Sequence, residues 1–89
     1  MKRWSMIFKV LGNINRLKII RLLSPGGRAL NVSYIARELD ISLKSTSKHL
    51  ILLNNLDILN YKGQAGHVSY SINSDMPPDL RKVIKLLSE

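Results

Sequence analysis

The sequence predicts a mainly α-helical domain that carries a small β-hairpin, with its elements in the order α-α-β-α-α-β-β-α. Apolar residues recur at helical spacing along most of the chain, but between residues 58 and 72 they recur at every second position, which is typical of strands. With 89 residues the chain is near the lower limit for burying its own core. We therefore expect a single domain over residues 1–89, completed by a second subunit.

The first two segments are predicted to be amphipathic helices. Over residues 3–11 an apolar stripe at helical spacing consists of Trp4, Ile7, Phe8 and Leu11. Asn15 is the predicted N-cap of the second helix, which ends at the Ser-Pro-Gly-Gly sequence of residues 24–27. Arg16 is expected to lie outside the apolar face of this helix.

Residues 28–56 contain a brief predicted strand followed by two helices joined by a tight turn. Asn31 or Ser33 can cap the first of these helices, and Asp40 stands where the chain must turn in the left-handed conformation. Ser42 can cap the second helix, over residues 42–56, whose inner face is predicted to contain Leu43, Thr46, Leu50 and Leu53. Two helices in this arrangement form a helix-turn-helix.

A hairpin and a last helix complete the domain. Over residues 58–72 the hairpin, or wing, is predicted to bury one face, which consists of Leu59, Tyr61, Val68, Tyr70 and Ile72. Asp75 can cap a terminal helix over residues 76–88, whose apolar stripe consists of Leu80, Val83, Ile84 and Leu87. The whole pattern is that of a winged helix-turn-helix domain.

The charge of the chain favours a polyanionic partner, and its composition excludes several classes of site. The formal net charge is +8, and residues 1–24 contain six basic residues and no acidic one. The absence of cysteine excludes disulfides, thiolate nucleophiles and thiolate metal sites. No apolar run approaches the ~20 residues of a transmembrane helix, and no secretory cleavage site follows the N-terminus. We therefore expect a cytoplasmic protein without a membrane partner.

Four stretches of the sequence carry a family resemblance. FKVLGN at residues 8–13 is followed by RLKII at 16–20, STSKHL at 45–50 and GHVSYSI at 66–72. In this order and spacing they resemble the ArsR/SmtB family of dimeric bacterial and archaeal repressors, and the resemblance extends from about Ile7 to Ile72. It implies a winged-helix homodimer that binds an inverted-repeat operator in double-stranded DNA.

The chain also departs from this family. Where many members have a Cys-x-Cys-type metal site, residues 30–34 contain no thiol, and the terminal helix has no histidine and only Asp79 and Glu89 as carboxylates. We therefore expect no metal and no other cofactor. Asp57 replaces the family's usual glycine before the wing, and residues 25–29 form a longer connection than usual.

The predicted DNA-contacting residues lie on the second helix of the helix-turn-helix and on the wing. No acidic residue occurs between Ser42 and Leu56, so the exposed side of this recognition helix offers only donors and cations to a major groove. Lys44 and Lys48 are suited to phosphate or guanine, and small side chains beside them permit a close approach. The predicted contacts are Ser42, Lys44, Ser45, Ser47, Lys48 and His49, with Arg16, Lys62 and Gln64. For His49, a half-buried imidazole bonded within the domain is an equal alternative.

The terminal helices are predicted to form a dimer interface, because one small domain has difficulty covering all their apolar residues. The predicted interface consists of Trp4, Ile7, Phe8, Leu80, Val83, Ile84 and Leu87. No phosphate-binding glycine pattern, paired catalytic carboxylates or activated nucleophile indicates an enzyme. The alternative function is a protein interaction module for an acidic partner, which exposed Met6 and Val10 on the first helix would favour.

Overall fold

The computed structural model describes residues 1–24 and 28–88. Within them it contains five α-helices and a three-stranded antiparallel sheet, in the predicted order. The elements are α1 (Lys2–Leu11), α2 (Ile14–Leu23), β1 (Leu30–Asn31), α3 (Val32–Leu39), α4 (Leu43–Asn55), β2 (Leu59–Gln64), β3 (His67–Ile72) and α5 (Pro78–Ser88). The predicted winged helix-turn-helix fold class is thereby confirmed. The predicted loop at residues 25–27 lies outside the described residues.

Three of the helices begin at a residue whose side chain accepts hydrogen bonds from the free backbone N–H groups of the first turn. The Oδ1 atom of Asn13 accepts from the N–H groups of Asn15 and Arg16 at 2.9 and 3.2 Å, so Asn13 is the N-cap of α2. The prediction of Asn15 as this cap is wrong by two residues. Asn31 caps α3 through a 2.8 Å bond from the Tyr34 N–H group, which selects Asn31 from the two predicted candidates.

The turn between α3 and α4 has the predicted left-handed residue. Asp40 has a φ of 54° and a ψ of 48°, and the Ile41 N–H group donates to the Ala36 carbonyl at 3.1 Å. Ser42 then caps α4, as predicted, with its Oγ atom accepting from the Ser45 N–H group at 3.0 Å. These local bonds fix the angle at which α4 leaves α3.

The core forms around α2, which contacts α1, α3, α4, α5 and β3. The predicted inner residues Thr46, Leu50 and Leu53 of α4 are fully buried, but Leu43 is 56% exposed because the first turn of α4 extends beyond the core. Two core residues lie outside the predicted stripes: Ile58 before β2 and Met76 before α5. Val10 is also buried, which contradicts its prediction as an exposed residue.

The sheet has the strand order β1-β3-β2, so β3 lies in the middle. Tyr61 pairs with Tyr70, and Gly63 with Val68. The predicted buried face covers only the base of the wing: Leu59 and Tyr70 are buried, whereas Tyr61 and Val68 are 61% and 40% exposed. Val68 lies closer to the hairpin tip, where the helices no longer cover the sheet, and Tyr61 lies opposite Tyr70 on β2, at the edge of the sheet.

Candidate nucleic-acid interface

The exposed side of α4 is the centre of the candidate interface. Lys44 and Lys48 are both exposed and lie four residues apart, hence on neighbouring turns of the same side. Thr46 and Leu50 are fully buried on the opposite side. A helix anchored in this way holds its cations outward, and the positive end of its dipole adds to the attraction for anions near Ser42.

The predicted serines have different roles in the local structure. The Ser42 Oγ atom accepts the capping hydrogen bond, which leaves its hydroxyl hydrogen available to an external acceptor. Ser45 and Ser47 are half-buried between the lysines and the core. Their small side chains leave the α4 backbone accessible near Lys44 and Lys48, as the close approach of a DNA backbone requires.

His49 on α4 and Arg16 near the beginning of α2 are close enough for the charge of Arg16 to act on the imidazole. Both residues are half-buried, and His49 Nδ1 and Arg16 Nε are buried without a hydrogen-bond partner in the described part of the chain. Arg16 therefore does not lie fully outside, contrary to its prediction. Burial lowers the pKa of His49, and the positive charge of Arg16 lowers it further.

The wing supplies a second set of candidate contacts. Lys62 is exposed on β2, and His67 is exposed at the start of β3. The side chain of the predicted contact Gln64 is outside the described part of the structure. Exposed Tyr61, whose ring centroid lies 6.2 Å from that of Tyr70, adds an aromatic surface, contrary to its prediction as a buried residue. It lies on the edge strand β2, and the alternating apolar pattern does not show which strand is at the edge.

The predicted dimer residues divide into two groups. Ile7, Leu80 and Ile84 are at most 3% exposed, so a partner cannot contact their side chains without opening the core. Phe8 and Leu87 are 58% and 39% exposed, and Trp4 and Val83 are half-buried. The Trp4 and Phe8 rings lie 5.6 Å apart between centroids, and Leu86, which was not predicted, is 69% exposed. Only this second group can form a surface for another subunit.

The described histidine and carboxylate side chains do not fit the metal sites of the resembled family. The sequence has no cysteine, and the described residues contain no cluster of three or more His, Cys, Asp or Glu side chains suited to a metal ion. The two histidines lie on different elements, His49 on α4 and His67 on β3. Among the described residues, no helix is both long enough and apolar enough to cross a membrane.

The helix-turn-helix, the basic exposed face of α4 and the wing together define a winged-helix regulator of transcription. Residues 13–61, more than half of the chain, match the model of the arsR family of bacterial regulatory proteins. The chain belongs to this family, which confirms the resemblance found in the sequence. Family and fold are those of transcriptional regulators and not of enzymes.

Individual relatives agree with this assignment. A cadmium resistance transcriptional regulatory protein CadC homolog of Staphylococcus aureus is 36% identical over 71 residues, which represent 80% of this chain and 58% of the relative. The chain thus spans less than two thirds of that relative. The crystal structure of the transcriptional repressor PagR of Bacillus anthracis is 30% identical, with a TM-score of 0.74 and coverage of 97% of this chain and 93% of PagR.

A third relative shows the fold. The homodimeric winged helix-turn-helix DNA-binding domain of Mb0332 from Mycobacterium bovis is 23% identical and has a TM-score of 0.79. The match covers 97% of this chain and 75% of that domain.

Proposed function

We propose that the protein is a homodimeric repressor that binds an inverted repeat in duplex DNA and does not respond to metal ions. The observation that carries this proposal is the exposed face of α4, where Lys44 and Lys48 project from a helix whose other side is anchored in the core. A DNA partner would place the protein in the compartment of the chromosome, the cytoplasm.

The dimensions of α4 support major-groove binding. Its 13 residues make a helix of about 20 Å, and no acidic residue between Ser42 and Leu56 opposes the phosphates. In this arrangement Lys44 and Lys48 contact phosphate or guanine, while Ser42 and the half-buried serines lie against the backbone. Lys62 on the wing reaches the neighbouring phosphates, and Gln64 is proposed to assist it.

Dimerisation gives this binding its symmetry. In a two-fold dimer, two recognition helices read successive major grooves about 34 Å apart, and the site is an inverted repeat. The homodimeric state of the Mb0332 domain and the exposed apolar groups on α1 and α5 support this arrangement.

Repression independent of metal is the proposed mode of regulation. PagR, which matches nearly the whole chain, is a repressor, and a protein that occupies an operator hinders transcription without any catalytic step. The CadC homolog is a cadmium resistance regulator, but the side chains of this chain provide no thiolate for such an ion. Zinc or cadmium is therefore expected to leave DNA affinity unchanged.

The decisive experiment selects bound sequences from a random duplex pool and measures affinity for the enriched duplex by fluorescence anisotropy. Lys44→Ala and Lys48→Ala should each weaken binding, whereas the matched control Lys82→Ala on α5 should not. The logarithmic salt slope should be roughly −4 to −7, since each phosphate contact releases counterions. Enrichment of an inverted repeat supports the proposal. A flat salt response, or lysine variants that bind like the parent, would overturn it.

A protein interaction module is the second candidate function, supported by exposed apolar side chains at Met6, Ile51 and Leu52. An acidic protein partner would also bind a surface of this charge. Failure of duplex DNA to bind at low salt would favour this alternative.

A further inference from the structure

A pocket of about 430 Å³ lies between α1, the beginning of α2 and the C-terminal half of α4. This volume is within the range of about 300–1,000 Å³ that is usual for small-molecule sites. The pocket lies beyond the part of α4 that carries Lys44 and Lys48. It shares Arg16 with the edge of the candidate DNA surface but contains neither of the two lysines.

The walls of this pocket are mainly apolar. They consist of Met6, Val10, Leu52 and Leu56. Met6 and Leu52 are 58% and 40% exposed, so the pocket has apolar surface that is still in contact with water. An apolar ligand body would remove this surface from water and gain about 25 cal/mol for each Å² buried.

The polar part of the pocket is cationic. Lys9 and Arg16 line it, Asn55 adds an amide, and none of the described lining residues is acidic. Within the described part of the chain, the buried Nε–H group of Arg16 has no acceptor, so its guanidinium is not held by an internal partner at that atom. An anionic oxygen is the strongest acceptor for a guanidinium.

We propose that this pocket binds a small organic anion with one carboxylate and an apolar body. The carboxylate lies against Arg16 and Lys9, and the apolar body lies between the side chains of α1 and α4. The dimer surface proposed above leaves the pocket accessible, because Met6 and Phe8 are two residues apart and project about 200° from each other around α1.

A regulatory consequence follows, and this part rests on the proposed DNA-binding function. Arg16 lines the pocket together with Leu52 and Asn55 of α4, so a carboxylate at Arg16 places a negative charge beside the recognition helix. The ligand should therefore weaken DNA binding.

The site itself is tested without DNA, by calorimetric titration of the full chain with octanoate as the probe. Octanoate should bind once per chain, 1-octanol and acetate should bind much more weakly, and Met6→Trp should block binding by filling the pocket. Lys9→Gln should lower the affinity roughly three- to tenfold, as expected for one charge-assisted contact at a partly open site. The matched control is Lys2→Gln, an exposed cation on the same helix that does not line the pocket.

Several results would overturn the proposed site: no heat of binding, equal binding of 1-octanol or acetate, or the same loss in Lys2→Gln as in Lys9→Gln. Thermal melting establishes that each variant is folded. A separate anisotropy titration with DNA tests regulation. Unchanged DNA affinity at saturating octanoate would overturn the regulatory part, whereas a protein that binds octanoate but no DNA would overturn the proposed function and leave the site standing.

Discussion

At the scale of single residues, His49 has surroundings that change its acid–base behaviour. Its pKa is lowered by burial and by Arg16, so the folded protein binds a proton at His49 less readily than the unfolded chain does. The stability contributed by the neutral imidazole is complete above the unfolded pKa of about 6.5 and is lost as the pH falls below it.

We therefore expect the urea midpoint of the protein to fall between about pH 7 and pH 5, and the fall to be smaller in His49→Asn. Denaturation followed by circular dichroism at several pH values measures this. His67→Asn, which changes an exposed wing residue, is the control. A pH dependence equal in the parent and in His49→Asn would contradict the assignment.

Asp57 is a second residue with an unusual environment, because its backbone adopts a positive φ. It has a φ of 61° in the turn that ends α4, where the Asp57 N–H group donates to the Asn54 carbonyl at 3.0 Å. Glycine adopts this conformation without steric cost, so Asp57→Gly should raise the free energy of unfolding by about 0.5 to 1 kcal/mol. Asp75→Gly, at a position without a positive φ, should not stabilise the protein. A destabilised Asp57→Gly variant would show that the Asp57 side chain itself contributes to the turn.

At the scale of elements, Asn73 joins three segments at the base of the wing. It is 9% exposed, and its Nδ2 group donates to the Asp57 carbonyl at 2.9 Å. Its Oδ1 atom accepts from Asn60 Nδ2 at 3.1 Å and from the Asp75 N–H group at 2.9 Å. The turn after α4, the beginning of β2 and the segment before α5 thus meet at one amide.

Asn73→Ala should destabilise the domain by about 2 to 4 kcal/mol, because three hydrogen bonds are lost and buried partners remain unsatisfied. Chemical denaturation measures the loss. Asn73→Asp keeps the acceptor but turns an oxygen toward the Asp57 carbonyl in place of the donor, so it should also destabilise the domain. If alanine and aspartate variants are as stable as the parent, Asn73 does not organise the wing.

The elements differ in how much of them the sequence predicts. Capping residues such as Asn31 and Ser42 act within three residues, so the helix starts they define are readable from the chain alone. Leu43 and Tyr61 continue the predicted spacing of apolar residues, but they lie beyond the region that the neighbouring elements cover. The spacing of apolar residues does not show where that region ends. The pocket between α1 and α4 depends on packing between segments about forty residues apart, and no local pattern predicts it.

At the scale of the whole molecule, the exposed apolar side chains near both ends of the chain lead to a testable prediction about dimerisation. Phe8→Glu and Leu87→Glu place a charge on the proposed dimer surface without entering the core, since both positions are exposed. Each variant should shift the protein from dimer to monomer and weaken operator binding, because two half-sites are then no longer bound together. Sedimentation velocity and anisotropy measure the two effects.

Met6→Glu is the matched control, because this exposed residue lies on the other side of α1. It should leave the dimer intact. A parent protein that is monomeric at tens of micromolar, or variants that remain dimeric, would contradict the proposed assembly.

Because of the position of β3 within the sheet, we expect the backbone amides of the wing to exchange their hydrogens at two different rates. Among the described residues, Ser69 and Tyr70 of β3 have partners on both sides, from β1 and β2, whereas the pairing of His67 and Val68 is with β2. Backbone amides near the tip can therefore exchange their hydrogens with water through local fraying, while those at the base are protected until the domain unfolds. A tip that opens independently can adjust to the width of a groove without loosening the helices that position it.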